Sequence, residues 1–256
     1  MFIDTHAHLN NEQLFDIRQA CVNNAKNANV NAIICASSDL ITSKKALQIC
    51  TEFDNMFCTI GFHPDDISQM DVPAENFLLE NAKNKKVVAI GEIGLDYHNN
   101  ISNHAEQKVA FKKQIEIAIK SKKPIVVHTR QSINDTITIL EQYKNEKVFG
   151  VVHCFAGDIS HAKKIMELGY VMSFGGTCTF KNAPEIREVL EQIPLSHILL
   201  ETDSPFLTPS PFRGKINEPK YIPLIAQQIA DIKRVSLEQV EKTTTQNAIR
   251  VFGINI

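Results

Sequence analysis

Eight short apolar runs punctuate the chain, and most are followed by a longer stretch in which apolar residues recur at helical spacing. The runs are FIDTHAH (2–8), NAIICAS (31–37), MFCTIGFH (56–63), VVAIGEIGLD (87–96), PIVVHTR (124–130), VFGVVHCF (148–155), YVMSFGG (170–176) and HILLETD (197–203). Runs that are apolar on both faces predict the strands of a parallel sheet covered by helices. The segment HAEQKVAFKKQIEIAIKSKK (104–123) shows the intervening pattern: Val109, Phe111, Ile115 and Ile119 recur at helical spacing, and Lys122 and Lys123 stand near the carboxyl end. From about residue 218 onward the pattern predicts two closing helices, the second capped by Ser236 ahead of Leu237. Pro124, Gly169 and the Ser204-Pro205 turn fall at joints between elements. Strand then helix, eight times over, is the order of an α/β (β/α)8 TIM barrel, and no linker or shift of composition divides residues 1–256. The whole chain is therefore expected to form one barrel domain.

Composition narrows the function classes. Apolar residues make up 43% and charged residues 22%, which excludes a disordered chain or a collagen. Basic and acidic residues number 27 and 29, so the net charge of −2 provides no global field to hold nucleic acid; a polyanion would have to be gripped locally. The six cysteines include no C-x-x-C pair and sit mostly inside apolar runs, which suits reduced core thiols and a reducing compartment. The opening MFIDTHAHLN lacks the basic and apolar regions of a signal peptide, so a cytoplasmic protein without membrane attachment is expected. No obligate protein partner is implied. A G-x-G-x-x-G phosphate cradle and a G-x-S-x-G elbow are both missing, and the lysine stripes at 112–113 and 120–123 read as solvated helix faces.

A closed parallel barrel brings all its strand ends to one face, so residues far apart in sequence converge there. Those ends carry His6 and His8, His63, Glu92 and Asp96, His128 and Arg130, His153, and Glu201 and Asp203. His6 and His8 stand two apart, which on an extended strand aims both rings the same way and lets two nitrogens grip one cation. Buried imidazoles and carboxylates are costly unless paired or ligating, so their gathering at five different strand ends points to a metal centre. Six ligands exceed what one catalytic zinc needs, and two cations fit better. The natural partition sets His6, His8 and Asp203 around one ion and His128 and His153 around the other, with Glu92 able to bridge through its two oxygens. The ligand types leave magnesium, manganese and zinc open.

Taken together, DTHAH (4–8), GEIGLDYH (91–98), VVHTR (126–130), VVHCFAG (151–157), ETDSPFLTP (201–209) and RGKINEP (213–219) resemble the TatD family of metal-dependent deoxyribonucleases. The resemblance extends along the whole chain. It implies a metallo-dependent hydrolase barrel, His6, His8, Glu92, His128, His153 and Asp203 as metal ligands, and hydrolysis of DNA phosphodiesters, with single-stranded 3′ ends as the expected substrate. Two departures stand out: QSINDT after Arg130 places an acid later than the family pattern, and Asn99-Asn100-Ile101 lengthens a loop.

Phosphodiester hydrolysis needs an activated water and neutralised phosphoryl charge, which two cations a few Å apart supply. Glu92, Asp203 and Glu201 are the expected catalytic carboxylates. Glu201 and Asp203 are expected to point inward together at i and i+2, with Glu201 acting either as the base or as a support for a ligand histidine. His63, Arg130 and Arg213 are expected to contact substrate phosphates. Because one metal cage serves many reactions, hydrolysis of another ester or amide, such as aminoacyl-tRNA, stays open beside the nuclease reading, and a non-catalytic binding protein is disfavoured by the complete ligand set.

Overall fold

The computed structural model describes residues 1–98 and 103–256, so the Asn99-Asn100-Ile101 insertion lies outside the described residues. Eight parallel strands follow one another round a single sheet in sequence order: β1 (Phe2–Ala7), β2 (Val30–Cys35), β3 (Met56–Ile60), β4 (Val87–Asp96), β5 (Ile125–Arg130), β6 (Gly150–Val152), β7 (Val171–Phe174) and β8 (Ile198–Leu200). All eight expected strands are present. The seam between β8 and β1 is stitched just past the strand ends, where Asp203 N–H donates to the His6 carbonyl (2.8 Å) and His8 N–H to the Ser204 carbonyl (2.7 Å). The result is a nearly closed barrel.

Helices run back between the strands: α1 (Glu12–Phe15) and α2 (Arg18–Asn27), α3 (Leu40–Glu52), α4 (Val72–Asn81), α5 (His104–Ser121), α6 (Ile133–Gln142), α7 (Ile159–Glu167) and α8 (Pro184–Gln192). Two more close the chain, α9 (Ile222–Lys233) and α10 (Leu237–Phe252), the latter capped by Ser236, whose side chain accepts from Gln239 N–H. In α5, Phe111 and Ile115 are buried as expected, whereas Val109 faces solvent at 59% exposure.

Two apolar clusters hold the barrel. The larger, with Ile33, Met56, Ile90 and Val127 among its members, packs the sheet against its helices. A second takes residues from every strand, among them Ile3, Ile34, Phe57, Val88, Val126, Val151, Val171 and Leu199, and is joined by Val251, Phe252 and Ile254 at the end of α10 and beyond it. Burial of this interior commits one end of the barrel to packing and leaves the opposite, carboxyl end for chemistry.

Local irregularities re-aim the residues that matter. Ile90 pairs with Ile125 but Ile93 with Val127, so β4 carries one extra residue around Glu92. Asp4 pairs with Ile33 but Ala7 with Cys35, so β1 does the same around His6. Such bulges turn a side chain off the alternation of the pleat. At Gly94 (φ +144) a Cβ would lie 2.0 Å from the His128 carbonyl oxygen, and only glycine lets β5 approach closely enough to set His128 beside Glu92. Among the described residues no helix is long and apolar enough to cross a membrane.

Candidate metal centre

Glu92 is the hub of the carboxyl-end cleft. It is 4% exposed, and its two oxygens face different partners. Oε1 lies 2.7 Å from His128 Nδ1 and 2.7 Å from His153 Nε2. Oε2 lies 3.5 Å from His6 Nε2 and 3.8 Å from His8 Nε2. Asp203 Oδ1 completes the second set, 3.6 Å from His6 Nε2 and 3.3 Å from His8 Nε2. Within each set two imidazole nitrogens point at one another, His6 Nε2 to His8 Nε2 at 3.1 Å and His128 Nδ1 to His153 Nε2 at 3.2 Å. Nitrogen lone pairs and carboxylate oxygens converging in this way suit a divalent cation, and His6, His8 and Asp203 form one of several clusters with ligand atoms within 4.8 Å of one another.

The electrostatics agree. Burial alone would push the Glu92 carboxyl up, but the charge of His153 and hydrogen bonds from His128, His153 and His6 outweigh it and hold Glu92 well below the usual carboxylate range. Burial opposes ionisation of Asp203 as well, and its bond to His8 with the nearby charges of His8 and His153 keeps it lowered. Two buried anions a few Å apart demand positive charge between them. Burial and the charge of His153 drive His6 down to about 4, which leaves a neutral ring with a lone pair to offer.

Supporting groups fix the ring orientations. His128 Nε2 donates to Asp96 Oδ2 at 3.0 Å and Nδ1 faces Glu92 Oε1, and these two bonds outweigh burial and raise the ring's pKa; a cation held beside Glu92 would take the place of the Nδ1 proton. Asp96 is itself locked by Gln107, whose Oε1 accepts Asp96 N–H (2.9 Å) and whose Nε2 donates to the Asp96 carbonyl (2.8 Å). Asp4, which the strand-end pattern passed over, is fully buried and accepts from His6 N–H, Thr202 N–H (3.0 Å) and Thr202 Oγ1 (2.5 Å), clamping β1 to the segment that bears Asp203. Burial raises its carboxyl to about 8 against those hydrogen bonds. The sequence signal for both acids was an unassigned carboxylate two or four positions from a ligand. Asp96→Asn is expected to weaken divalent-cation binding by about 10- to 100-fold with secondary structure intact, measured by titration calorimetry; unchanged affinity would release Asp96 from this role.

Glu201 corrects one expectation. β8 ends at Leu200, so Glu201 and Asp203 do not share a strand direction. Asp203 adopts φ 54 and lines the cleft. Glu201 is fully buried, with Oε1 accepting Cys154 N–H (2.6 Å) and Oε2 accepting the Ser173 hydroxyl (2.5 Å). Burial raises its carboxyl to about 7. Both oxygens are engaged, and Oε1 stands 3.9 Å from His153 Nδ1, beyond hydrogen-bond reach, so the geometry makes Glu201 a support for the turn after β6 that carries His153. Cys154, in that turn at φ 45, also reaches the cleft.

The cleft encloses about 640 Å³ and is lined by His8, His63, Glu92, His128, Arg130, His153 and Asp203, with Asn10, Asp65, Asp66 and Phe206 around them. His63 Nδ1 accepts Asp65 N–H (3.2 Å), which leaves the ring proton on Nε2, 3.8 Å from Glu92 Oε1. Arg130 is exposed at the rim. Arg213 stands apart from these: it is exposed, its guanidinium lies 3.7 Å over the Phe180 ring, and it is not among the cleft-lining residues.

Comparison with known proteins fits this cage. A sequence model of the TatD related DNase family matches residues 3–253. The chain is 42% identical over 255 residues, the full length of both proteins, to an uncharacterized metal-dependent hydrolase, YabD, of Bacillus subtilis. It is 33% identical, over 98% of this chain and 99% of the relative, to a protein of Escherichia fergusonii named 3′-5′ ssDNA/RNA exonuclease TatD. Among solved structures, the TatD homolog YJJV of Escherichia coli superimposes with a TM-score of 0.94 at 25% identity, covering 99% of this chain and 98% of the other. The protein belongs to the TatD related DNase family, whose members include metal-dependent hydrolases.

Proposed function

We propose that the protein is a divalent-metal-dependent nuclease that hydrolyses DNA phosphodiester bonds from single-stranded 3′ ends. The observation that carries this reading is the arrangement of Glu92, whose two oxygens face two separate donor sets at the floor of an open cleft. His6, His8 and Asp203 with Glu92 Oε2 would hold one cation, and His128 and His153 with Oε1 a second. Bound there, divalent cations neutralise phosphoryl charge and make water acidic enough to attack near neutral pH. The relative named as an ssDNA/RNA exonuclease supports the choice of substrate.

The chain's own groups supply the rest. Arg130 presents a planar fork at the rim, suited to a non-scissile phosphate of the strand. His63, held neutral by burial and carrying its proton on Nε2, donates into the cleft toward a phosphoryl oxygen. Asp203 lines the cleft beside the bridging Glu92 and faces a single donor set, and it takes up the proton that the attacking water gives up. Glu201 keeps its oxygens on Cys154 and Ser173 and steadies the His153 turn.

The test is release of nucleotides from 3′- and 5′-labelled single-stranded DNA by cation-loaded protein, scanned over magnesium, manganese and zinc. Stepwise loss from the 3′ end that EDTA abolishes supports the proposal. Intact DNA alongside hydrolysis of an aminoacyl ester would move the same cage to that substrate. Arg130→Ala is expected to raise KM about tenfold, the worth of one charge-assisted contact, while bound metal per chain stays unchanged. Parallel loss of metal and activity would instead make Arg130 part of the scaffold.

A further inference from the structure

The cleft holds an aromatic group that neither cation binding nor phosphate binding uses. Phe206 lies at its mouth, 47% exposed, with its ring centroid 6.2 Å from that of His8 and the two planes crossing at 65°. An exposed phenylalanine needs no explanation by itself. This one is held in place by a built backbone. Phe206 N–H donates to the Asp203 carbonyl (2.9 Å), and the Phe206 carbonyl accepts from Asn217 Nδ2 (2.6 Å). Asn217 is fully buried and also bonds the Thr202 carbonyl (2.8 Å). Behind the next residue, Gly176 leaves no room for a side chain: a Cβ there would lie 2.0 Å from the Leu207 carbonyl oxygen. The chain therefore fixes an aromatic face toward solvent directly beside a ring of the donor cage, where a rigid surface costs no ordering when a ligand arrives.

We infer that Phe206 is a stacking platform for a nucleobase of the strand end seated in the cleft, so that the enzyme recognises its substrate by the base as well as by the phosphate. The inference rests on the nuclease reading above and deepens it. A phosphodiester held between Glu92 and Asp203 carries its base one sugar away, and beside His8 the rim offers that base an aromatic plane. Every base has a π-face, so the platform is indifferent to sequence, which suits a protein with no global basic field to grip the backbone. An ester or amide substrate without an aromatic group would gain nothing from it.

The experiment compares two single-stranded oligonucleotides, one ending in an ordinary 3′ nucleotide and one ending in an abasic residue, with cation-loaded wild type, Phe206→Ala and Phe206→Trp. On the ordinary end, Phe206→Ala is expected to lose about tenfold in kcat/KM, within the range for one lost base stack, and Phe206→Trp to retain activity. On the abasic end, wild type is already slow and Phe206→Ala adds little. A terminal 2-aminopurine in a cleavage-resistant phosphorothioate strand gives a second readout: wild type and Phe206→Trp quench it, and Phe206→Ala does so far less. Equal losses on both ends, with equal quenching by all three proteins, overturn the platform and leave the nuclease standing. Wild type that leaves both strands intact overturns the nuclease reading and the platform with it. The side chain is exposed enough that thermal melting of Phe206→Ala should match wild type, which separates lost stacking from lost fold.

Discussion

Glu92→Gln is expected to lower metal-dependent hydrolysis by about a thousandfold or more, the scale of losing several kcal/mol of transition-state charge stabilisation. Glutamine keeps the shape of the side chain and removes what the site uses. Each carboxylate oxygen serves one donor set, Oε1 with His128 and His153 and Oε2 with His6 and His8. An amide can offer an oxygen to one set only, and it turns a donating NH2 toward the other, where lone pairs are required. The variant should therefore bind less metal as well as turn over more slowly. Melting of the chelated variant near that of chelated wild type would show that the barrel stands without the charge, since its apolar interior is built from other residues. A Glu92→Gln protein with full kcat and full metal content would remove Glu92 from the centre of the mechanism.

The barrel was legible because both faces of a parallel sheet are buried, so each strand writes itself as an unbroken apolar run. Ends were less legible. The runs at 148–155 and 197–203 outlast β6 and β8, which stop at Val152 and Leu200, because the chain turns immediately afterwards through positive φ at Cys154 and Asp203. Period-2 reasoning holds only for extended backbone, and for that reason it misdirected Glu201. The candidate ligand residues converge despite the same irregularities for a different reason: a barrel gathers whatever follows its strands at one face, whether or not the strand has formally ended. His63, three residues past β3, and His153, one past β6, still meet Glu92. The bulges around His6 and Glu92 depend on register with a neighbouring strand, which no single run records. Arg213 shows the converse limit, since a charged loop residue carries no period, and its stacking on Phe180 follows from a contact distant in sequence. Val109 faces solvent because it stands two residues before Phe111, and positions two apart lie on different faces of a helix, away from the stripe of Phe111 and Ile115.

Removal of divalent cations is expected to abolish hydrolysis and to lower the melting temperature, and restoring them should reverse both. The donor cage draws on five of the eight strands: His6 lies on β1 and His8 just past it, Glu92 stands on β4, His128 on β5, His153 after β6 and Asp203 after β8. A cation shared among these groups ties the ends of the strands together, and the seam between β8 and β1 passes through His6 and Asp203 themselves. Any ligand that binds only the folded chain stabilises it by mass action, by about 2.7 kcal/mol at one hundred times Kd. For a chain of this size that corresponds to a rise of about 5–10 °C. Scanning calorimetry of EDTA-treated protein, alone and with magnesium, manganese or zinc added back, measures it directly. The metal that gives the largest rise at equal concentration is the one the cage binds best. Loss of the rise in His128→Ala, with EDTA-treated variant and wild type melting alike, would tie the stabilisation to this cage, whereas a rise that persisted in the variant would place the cations elsewhere on the protein.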